Sequence, residues 1–363
     1  MDFLNDIFPN ISAWLVFWLH ALLAGWNLPN DVESVLVSTL MTFLIIIAIL
    51  LWMVLMVLIL IWLERKIAAR IQERLGPNRV GPWGLLQPVA DTIKMLIKED
   101  IVPENADRFV HTIAPMIAMM PPVLMFAVIP WGKGMYPVDV NIGILWIIAV
   151  ASIGTIGVFL GGYGSNNKYS LLGGMRAVAQ MVSYEIPQVL TIVPIVLMVG
   201  SMSLVKINEA QSGWFGLQWF VFAFPVGTIA FIVYYLSALA EVGRTPFDIP
   251  EGESEIVAGY MTEYSGMKWA LFYLAEYFNF FIVCLIGATL FLGGWNGPIL
   301  PGYVWLIVKV YALVLLGMWI RMTWPRFRVD QLMNFAWKVL VPVALVNIVL
   351  AGLALPVLKM VGF

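Results

Sequence analysis

The chain is short of the residues from which most catalytic centres are built. Among its 363 residues there is one cysteine, Cys284, and there are two histidines, His20 and His111. A lone cysteine makes no internal disulfide. It cannot hold an iron–sulfur cluster or a structural zinc, which need about four ligands. The two histidines give no metal-ligand pair, so no metal site is expected, and redox chemistry here would need electrons from another polypeptide. Charge is scarce as well: 12% of residues are charged, about half the usual soluble-protein share. A formal net charge of −2 argues against a nucleic-acid partner. The opening MDFLNDIF is acidic, and no small-residue cleavage site follows the next apolar run, so no cleavable signal is expected.

What remains is apolar. Hydrophobic residues make up 61% of the chain, and the mean hydropathy is +0.91. This composition predicts an all-α integral membrane protein for which lipid is the main solvent. Apolar runs long enough to span lie near 35–63, 112–132, 140–162, 182–205, 215–240, 269–293, 303–323 and 336–358. They predict about eight transmembrane helices. The first, of about 29 residues, reaches about 43 Å against a core of about 30 Å and must tilt or protrude. Residues 11–26 form a shorter run with Trp14, Trp18 and Trp26, read as an interfacial or partly inserted helix. The domain reading is an N-terminal segment 1–34, then a single multi-helix transmembrane domain 35–363.

Sixteen of the 20 Lys and Arg residues fall in alternate connections or at their helix ends. By the positive-inside rule, 64–111, 163–181, 241–268 and 321–336 are cytoplasmic loops and both termini lie outside. Those loops are long and rich in Gly, Pro, Arg and Glu, whereas the outer ones are short and weakly charged. So lopsided a surface suggests a partner docking on the cytoplasmic face.

Four stretches carry chemistry. In 63–100, Glu64, Arg65 and Lys66 sit where the first helix meets the cytoplasm, followed by the turn GPNRVGPWG. Asp91, Lys94 and Lys98 then share one helical face. The plain alternative is a snorkelling basic boundary with surface ion pairs. In 161–194, Glu185 stands a few residues into an apolar helix ahead of Pro187, while Asn166, Asn167 and Lys168 read as ordinary loop. A carboxylate at that depth is costly unless it is protonated or faces a polar cavity.

The stretch 241–276 holds seven of the 22 acidic residues: Glu241, Asp248, Glu251, Glu253, Glu255, Glu263 and Glu276. Only Arg244 and Lys268 offset them. Pro246 and Pro250 prevent a continuous helix. Glu251, Glu253 and Glu255 share one face if extended, and Glu251 and Glu255 repel at i,i+4 if helical. A solvated acidic loop suits Glu253 and Glu263 best, and suits Glu241 and Glu276 poorly because their neighbours are apolar. In 320–338, Arg321 and Arg326 flank Trp324–Pro325, either as an interface arginine cluster or as the mouth of a pocket for a ring with polar oxygens. Taken together, the carboxylates suggest a proton path leading towards an arginine-rich cytoplasmic mouth.

The motifs ERKIAARIQERLGPNRVGPWGLLQPVADTIKMLIKED, SNNKYSLLGGMRAVAQMVSYEIP, AEVGRTPFDIPEGESEIVAGYMTEYSG, FLGGW and PRFRVDQLMNFAWK closely resemble the H-subunit (also called subunit 1) family of proton-translocating NADH:quinone oxidoreductase, respiratory complex I. They span roughly residues 60–340. The resemblance implies a membrane subunit at the junction of membrane and peripheral arms, in a bacterial inner membrane, contacting subunits of both arms. It implies quinone as substrate, no cofactor bound by this chain, and iron–sulfur clusters and flavin on partners. Carried over residue by residue, the quinone-side set is Glu64, Arg65, Asp91, Lys94, Phe247, Arg321 and Arg326. The acidic path is Glu185, Glu241, Glu251, Glu253, Glu255 and Glu276, with Asp248 and Glu263 in support. One departure stands out: some relatives carry a further carboxylate near the position of Ser152, and here no acidic residue lies between Asp139 and Glu185. Proton transfer beyond Glu185 then depends on water or on a neighbouring subunit. The competing readings are a membrane anchor of a related ferredoxin- or hydrogenase-linked complex, and an autonomous ion transporter. The transporter predicts an internal repeat, which the sequence does not display.

Overall fold

The computed structural model describes residues 30–250, 252 and 256–361. The segment 11–26, most of 1–34, and Glu251, Glu253 and Glu255 lie outside the described residues. Helices dominate: α1 Asn30–Ile71, α2 Gln87–Ile97, α3 Arg108–Phe126, α4 Gly143–Gly164, α5 Lys168–Val199, α6 Leu204–Ala210, α7 Val226–Glu241, α8 Gly266–Phe291, α9 Gly302–Thr323, α10 Val329–Phe335 and α11 Val341–Val361. A five-residue π-helical segment, Ala336–Leu340, joins α10 to α11. Among the described residues, seven helices are long and apolar enough to cross a membrane, and α7 is a shorter apolar helix of 16 residues.

The chain divides into two units, Met1–Ile59 and Leu60–Phe363. The described part of the first is the leading stretch of α1, where Val35, Phe43, Ile46, Ile47 and Leu51 are exposed. An exposed face of this chemistry suits contact with lipid.

The second unit is built around α8. Nearly every residue from Phe272 to Phe291 is buried, as expected of a helix apolar on all sides. Helix α8 packs against α3 and α9, α4 packs against α3 and α5, and α5 also packs against α7 and α11. The α3–α4 crossing is made close by glycine. A Cβ on Gly157 would lie 2.5 Å from the Ala118 backbone nitrogen. Small residues at crossings are how helices associate where lipid removes the hydrophobic driving force between them.

Several boundaries differ from the sequence reading. Helix α1 continues to Ile71, so Glu64, Arg65, Lys66 and Arg70 are helical. The loop predicted over 163–181 shrinks, because α5 begins at Lys168. The Asn167 side chain caps it, accepting from the Tyr169 amide at 2.9 Å. Residues 168–181 look loop-like because their inward positions are Ser170, Gly173, Gly174, Ala177 and Gln180, small or polar rather than large and apolar. Glu185 therefore stands mid-helix. The span predicted over 182–205 ends at Val199, where Gly200 takes φ +74°. The span predicted from 215 starts only at Val226, directly after Pro225, whose fixed φ suits a helix start. Residues 213–222 form short turns instead. Helix α9 runs past Arg321 to Thr323.

Candidate functional site

Four charged side chains from four segments of the second unit converge. Glu64 comes from the end of α1, Arg244 from the loop after α7, Glu276 from α8 and Arg321 from the end of α9. Arg244 Nη1 donates to both Glu64 oxygens, at 3.2 and 3.0 Å. Its Nε lies 2.8 Å from Glu276 Oε1. Arg321 Nη1 pairs with Glu64 Oε1. Arg244 is 3% exposed and Glu64 6%, so these charges have left water and must satisfy one another. Burial alone would lower the Arg244 pKa. Glu276 and Glu64 outweigh it and hold the guanidinium charged well above its ordinary range. The Arg244 guanidinium also stands over the Tyr277 ring, 4.1 Å from its centroid. That contact is favourable for a desolvated cation. Asp248 is close enough for its charge to act on Glu276.

A second ion pair lies beside the first. Arg65 Nη1 is 2.5 Å from Asp91 Oδ2, and Gln87 on α2 donates to the other Asp91 oxygen at 3.2 Å. Sequence spacing grouped Asp91 with Lys94 and Lys98 on one helical face. The structure gives Asp91 to Arg65 instead, leaves Lys94 exposed, and places Lys98 beyond the end of α2 with an extended backbone. Arg326 donates from Nη2 to the Ile249 carbonyl at 3.2 Å. Its guanidinium packs so tightly on Gly252 that a Cβ there would collide with it. Phe247, on the quinone side by resemblance, is 1% exposed. It packs among Tyr184, Phe327 and Phe335, with ring centroids 5.7, 5.7 and 6.5 Å away. Gln180 fixes the same loop by donating to the Ala240 and Phe247 carbonyls, both at 2.6 Å.

From Glu276 a polar line runs into the helices. A cavity of about 60 Å³ is bordered by Glu276, Glu241, Gln180 and Asn279. A second, also about 60 Å³, is bordered by Glu241, Glu185, Gln188, Asn279 and Tyr234. Each has room for a few waters. Glu241 and Asn279 belong to both walls. Glu241 Oε2 is buried with no hydrogen-bond partner among the described residues, and Gln188 is a neighbouring side-chain donor. Glu185 is near enough for its charge to act on Glu241. At the far end, Ser152 on α4 donates to Glu185. Glu263 stands apart from this line, accepting from Asn167 Nδ2 at 2.5 Å. It ties the loop before α8 to the start of α5.

Sequence reasoning passed over Arg244, which it treated only as an offset to the surrounding acids. It also passed over Gln180, Gln188, Asn279 and Tyr277. Polar amides and a tyrosine hydroxyl inside apolar helices were the available signal, and they carry no charge to betray them.

The fold and the site define a multi-pass membrane protein whose buried ion cluster opens onto a line of carboxylates between helices. Residues 13–352 match the family model described as NADH dehydrogenase. The chain is 50% identical over 304 residues to the H subunit of NADH-quinone oxidoreductase from Carboxydothermus hydrogenoformans, covering 83% of this chain and 85% of that protein. It is 53% identical over 291 residues to the corresponding H subunit of Dehalococcoides mccartyi strain CBDB1, covering 80% of each. To the H subunit of Bacillus cytotoxicus it is 51% identical over 296 residues, covering 80% of this chain and 86% of the other. The chain belongs to the NADH dehydrogenase family of membrane subunits.

Proposed function

We propose that this membrane subunit of an NADH:quinone oxidoreductase forms part of a quinone chamber and the first acidic segment of a proton path. The observation that carries this reading is that Glu276 belongs to both features. It pairs with Arg244 in the buried ion cluster and borders the cavity that continues to Glu241 and Glu185. In this reading the bacterial inner membrane holds the chain, and subunits of both arms of the complex surround it. Iron–sulfur clusters and flavin on partner chains deliver the electrons. Quinone enters as substrate from the bilayer, and Arg65, Asp91, Lys94, Arg321, Arg326 and Phe247 shape its approach.

The cluster suits this task because its charges are balanced among themselves. A negative charge developing on a quinone headgroup near Arg321 competes with Glu64 for that guanidinium. Glu64 then leans more heavily on Arg244, and Arg244 shields Glu276 less. The weakened pairing favours a proton on Glu276, and the two cavities that join Glu276 to Glu241 and Glu241 to Glu185 offer the way onward. Glu251, Glu253 and Glu255 belong to the same acidic path towards the cytoplasmic end, with Asp248 and Glu263 in support.

Glu241→Gln in the assembled complex tests the reading. The amide keeps the shape and the contact with Gln188 but cannot carry a proton. The expected result is quinone reduction that continues while protons translocated per electron fall. An unchanged ratio would exclude Glu241 from the path.

A further inference from the structure

The acidic line is short of a carboxylate on α4, and the structure places a hydroxyl there. Ser152 Oγ lies within reach of two acceptors, Glu185 Oε1 and the Ile148 carbonyl, the latter at 3.2 Å. A serine hydroxyl has one proton to donate and two lone pairs to accept with, and its hydrogen rotates freely. We propose that Ser152 is a positioning residue for proton transfer at Glu185, turning its hydroxyl between these two acceptors according to whether Glu185 is charged. This rests on the relay reading given above and extends it to a residue outside the acidic series.

With Glu185 ionised, the Ser152 O–H donates to the carboxylate, a charge-assisted bond of the stronger kind. When a proton reaches Glu185 from the cavity side, the new carboxylic O–H becomes the donor and Ser152 Oγ the acceptor. The Ser152 hydrogen then turns back to the Ile148 carbonyl, one helical turn earlier. No proton leaves Ser152 in either state, and the only bond made or broken is the O–H of Glu185. The arrangement meets the demand of a half-buried relay group, which must be tolerable in both forms because an unmet polar group inside the protein is costly. It also fits the geometry of the second cavity. Ile148, Ala151 and Gly154 line it together with Glu185, whereas Ser152 does not. The hydroxyl therefore reaches Glu185 from α4, beside the residues that line the cavity.

The test uses the assembled complex in proteoliposomes, with preparations matched by electron transfer to an artificial acceptor. Ser152→Ala, Ser152→Thr and Glu185→Gln are compared for proton translocation per electron, its pH profile, and the infrared carboxylic C=O band that Glu185→Gln abolishes. The expected result for Ser152→Ala is proton transfer at Glu185 slowed about tenfold, as for the loss of one hydrogen bond to a charged group, read as a fall in protons translocated per electron. The Glu185 band and the pH profile should move with it, and Ser152→Thr should restore all three. Ser152→Cys, near in size with a weak donor, gives the same comparison if the alanine variant does not assemble. Wild-type translocation in Ser152→Ala, or an unmoved Glu185 band, overturns the proposal while leaving the relay intact. Equal impairment of the alanine and threonine variants overturns it too, since packing alone would then account for the effect. If Glu185→Gln itself pumps normally, the relay reading falls and this proposal with it.

Discussion

At the scale of single residues, the site turns on Arg244. Its two edges serve different carboxylates: Nη1 reaches Glu64 and Nε lies against Glu276. A guanidinium can do this because its donors are fixed in one plane, whereas an ammonium is a point charge on a flexible stem. Arg244→Lys is therefore expected to preserve charge but to satisfy only one of the two carboxylates. Arg244→Met leaves Glu64 with Arg321 and the Tyr277 hydroxyl and strips Glu276 of its ion pair. Breaking a buried pair in this way costs about 3–5 kcal/mol. The checks are the yield of intact complex and its thermal inactivation temperature, with the order wild type, then lysine, then methionine. A lysine variant indistinguishable from wild type would show that the two-edged geometry is unimportant. The sequence made Glu276 visible as a charge among apolar neighbours, and Glu64 and Arg321 as members of charged groups at the ends of apolar runs. It hid Arg244 because one of two cations among seven acids looks like a counter-ion, and only folding shows which acids it serves.

At the scale of elements, the apolar runs revealed the spans but misplaced several of their ends. The start of α5 is the clearest case. Gly173 and Gly174 punctuate the sequence like a turn, yet a Cβ on Gly173 would lie 2.5 Å from the Gly259 Cα, so glycine there permits a close approach inside a continuous helix. The same physics yields a contrast on α4. At Gly157 an added methyl would meet the Ala118 backbone at 2.5 and 2.8 Å, which cannot yield without moving α3. At Gly154 the nearest atom would be the Pro121 side chain at 3.5 Å, an ordinary contact. Gly157→Ala is expected to destabilise the protein by about 1–3 kcal/mol, the usual cost of overpacking. Gly154→Ala should cost much less. Thermal unfolding of the detergent-solubilised complex, followed by loss of this chain, separates the two. Equal effects would mean that the α3–α4 crossing is not the constraint.

At the scale of the whole molecule, the proposed function rests on how the ion cluster and the carboxylate line are joined, and sequence could supply only the members. It assembled both sets by resemblance, yet it could not say that Glu276 is where they meet, because Glu276 on α8 reaches Glu241 and Arg244, at the end of α7 and just beyond it, only across helices. That joint makes a prediction about separable failures. Arg321→Ala removes a guanidinium from the cluster edge while leaving the cavities untouched. Quinone reductase activity is expected to fall about tenfold, as for loss of a hydrogen bond to a charged group, and the protons moved per electron should fall too, because Arg321 is where the quinone charge acts on Glu64. Glu276→Gln still presents an oxygen to Arg244 but can no longer take up a proton. Electron flow to quinone should continue, and the protons moved per electron should drop. Measured side by side in proteoliposomes, the two variants should fail differently, Arg321→Ala in both rate and ratio and Glu276→Gln in ratio alone. If Glu276→Gln lowered the rate and kept the ratio, Glu276 would belong to the quinone chamber alone, and the coupling of cluster to path would have to run through Asp248 and the loop that carries it.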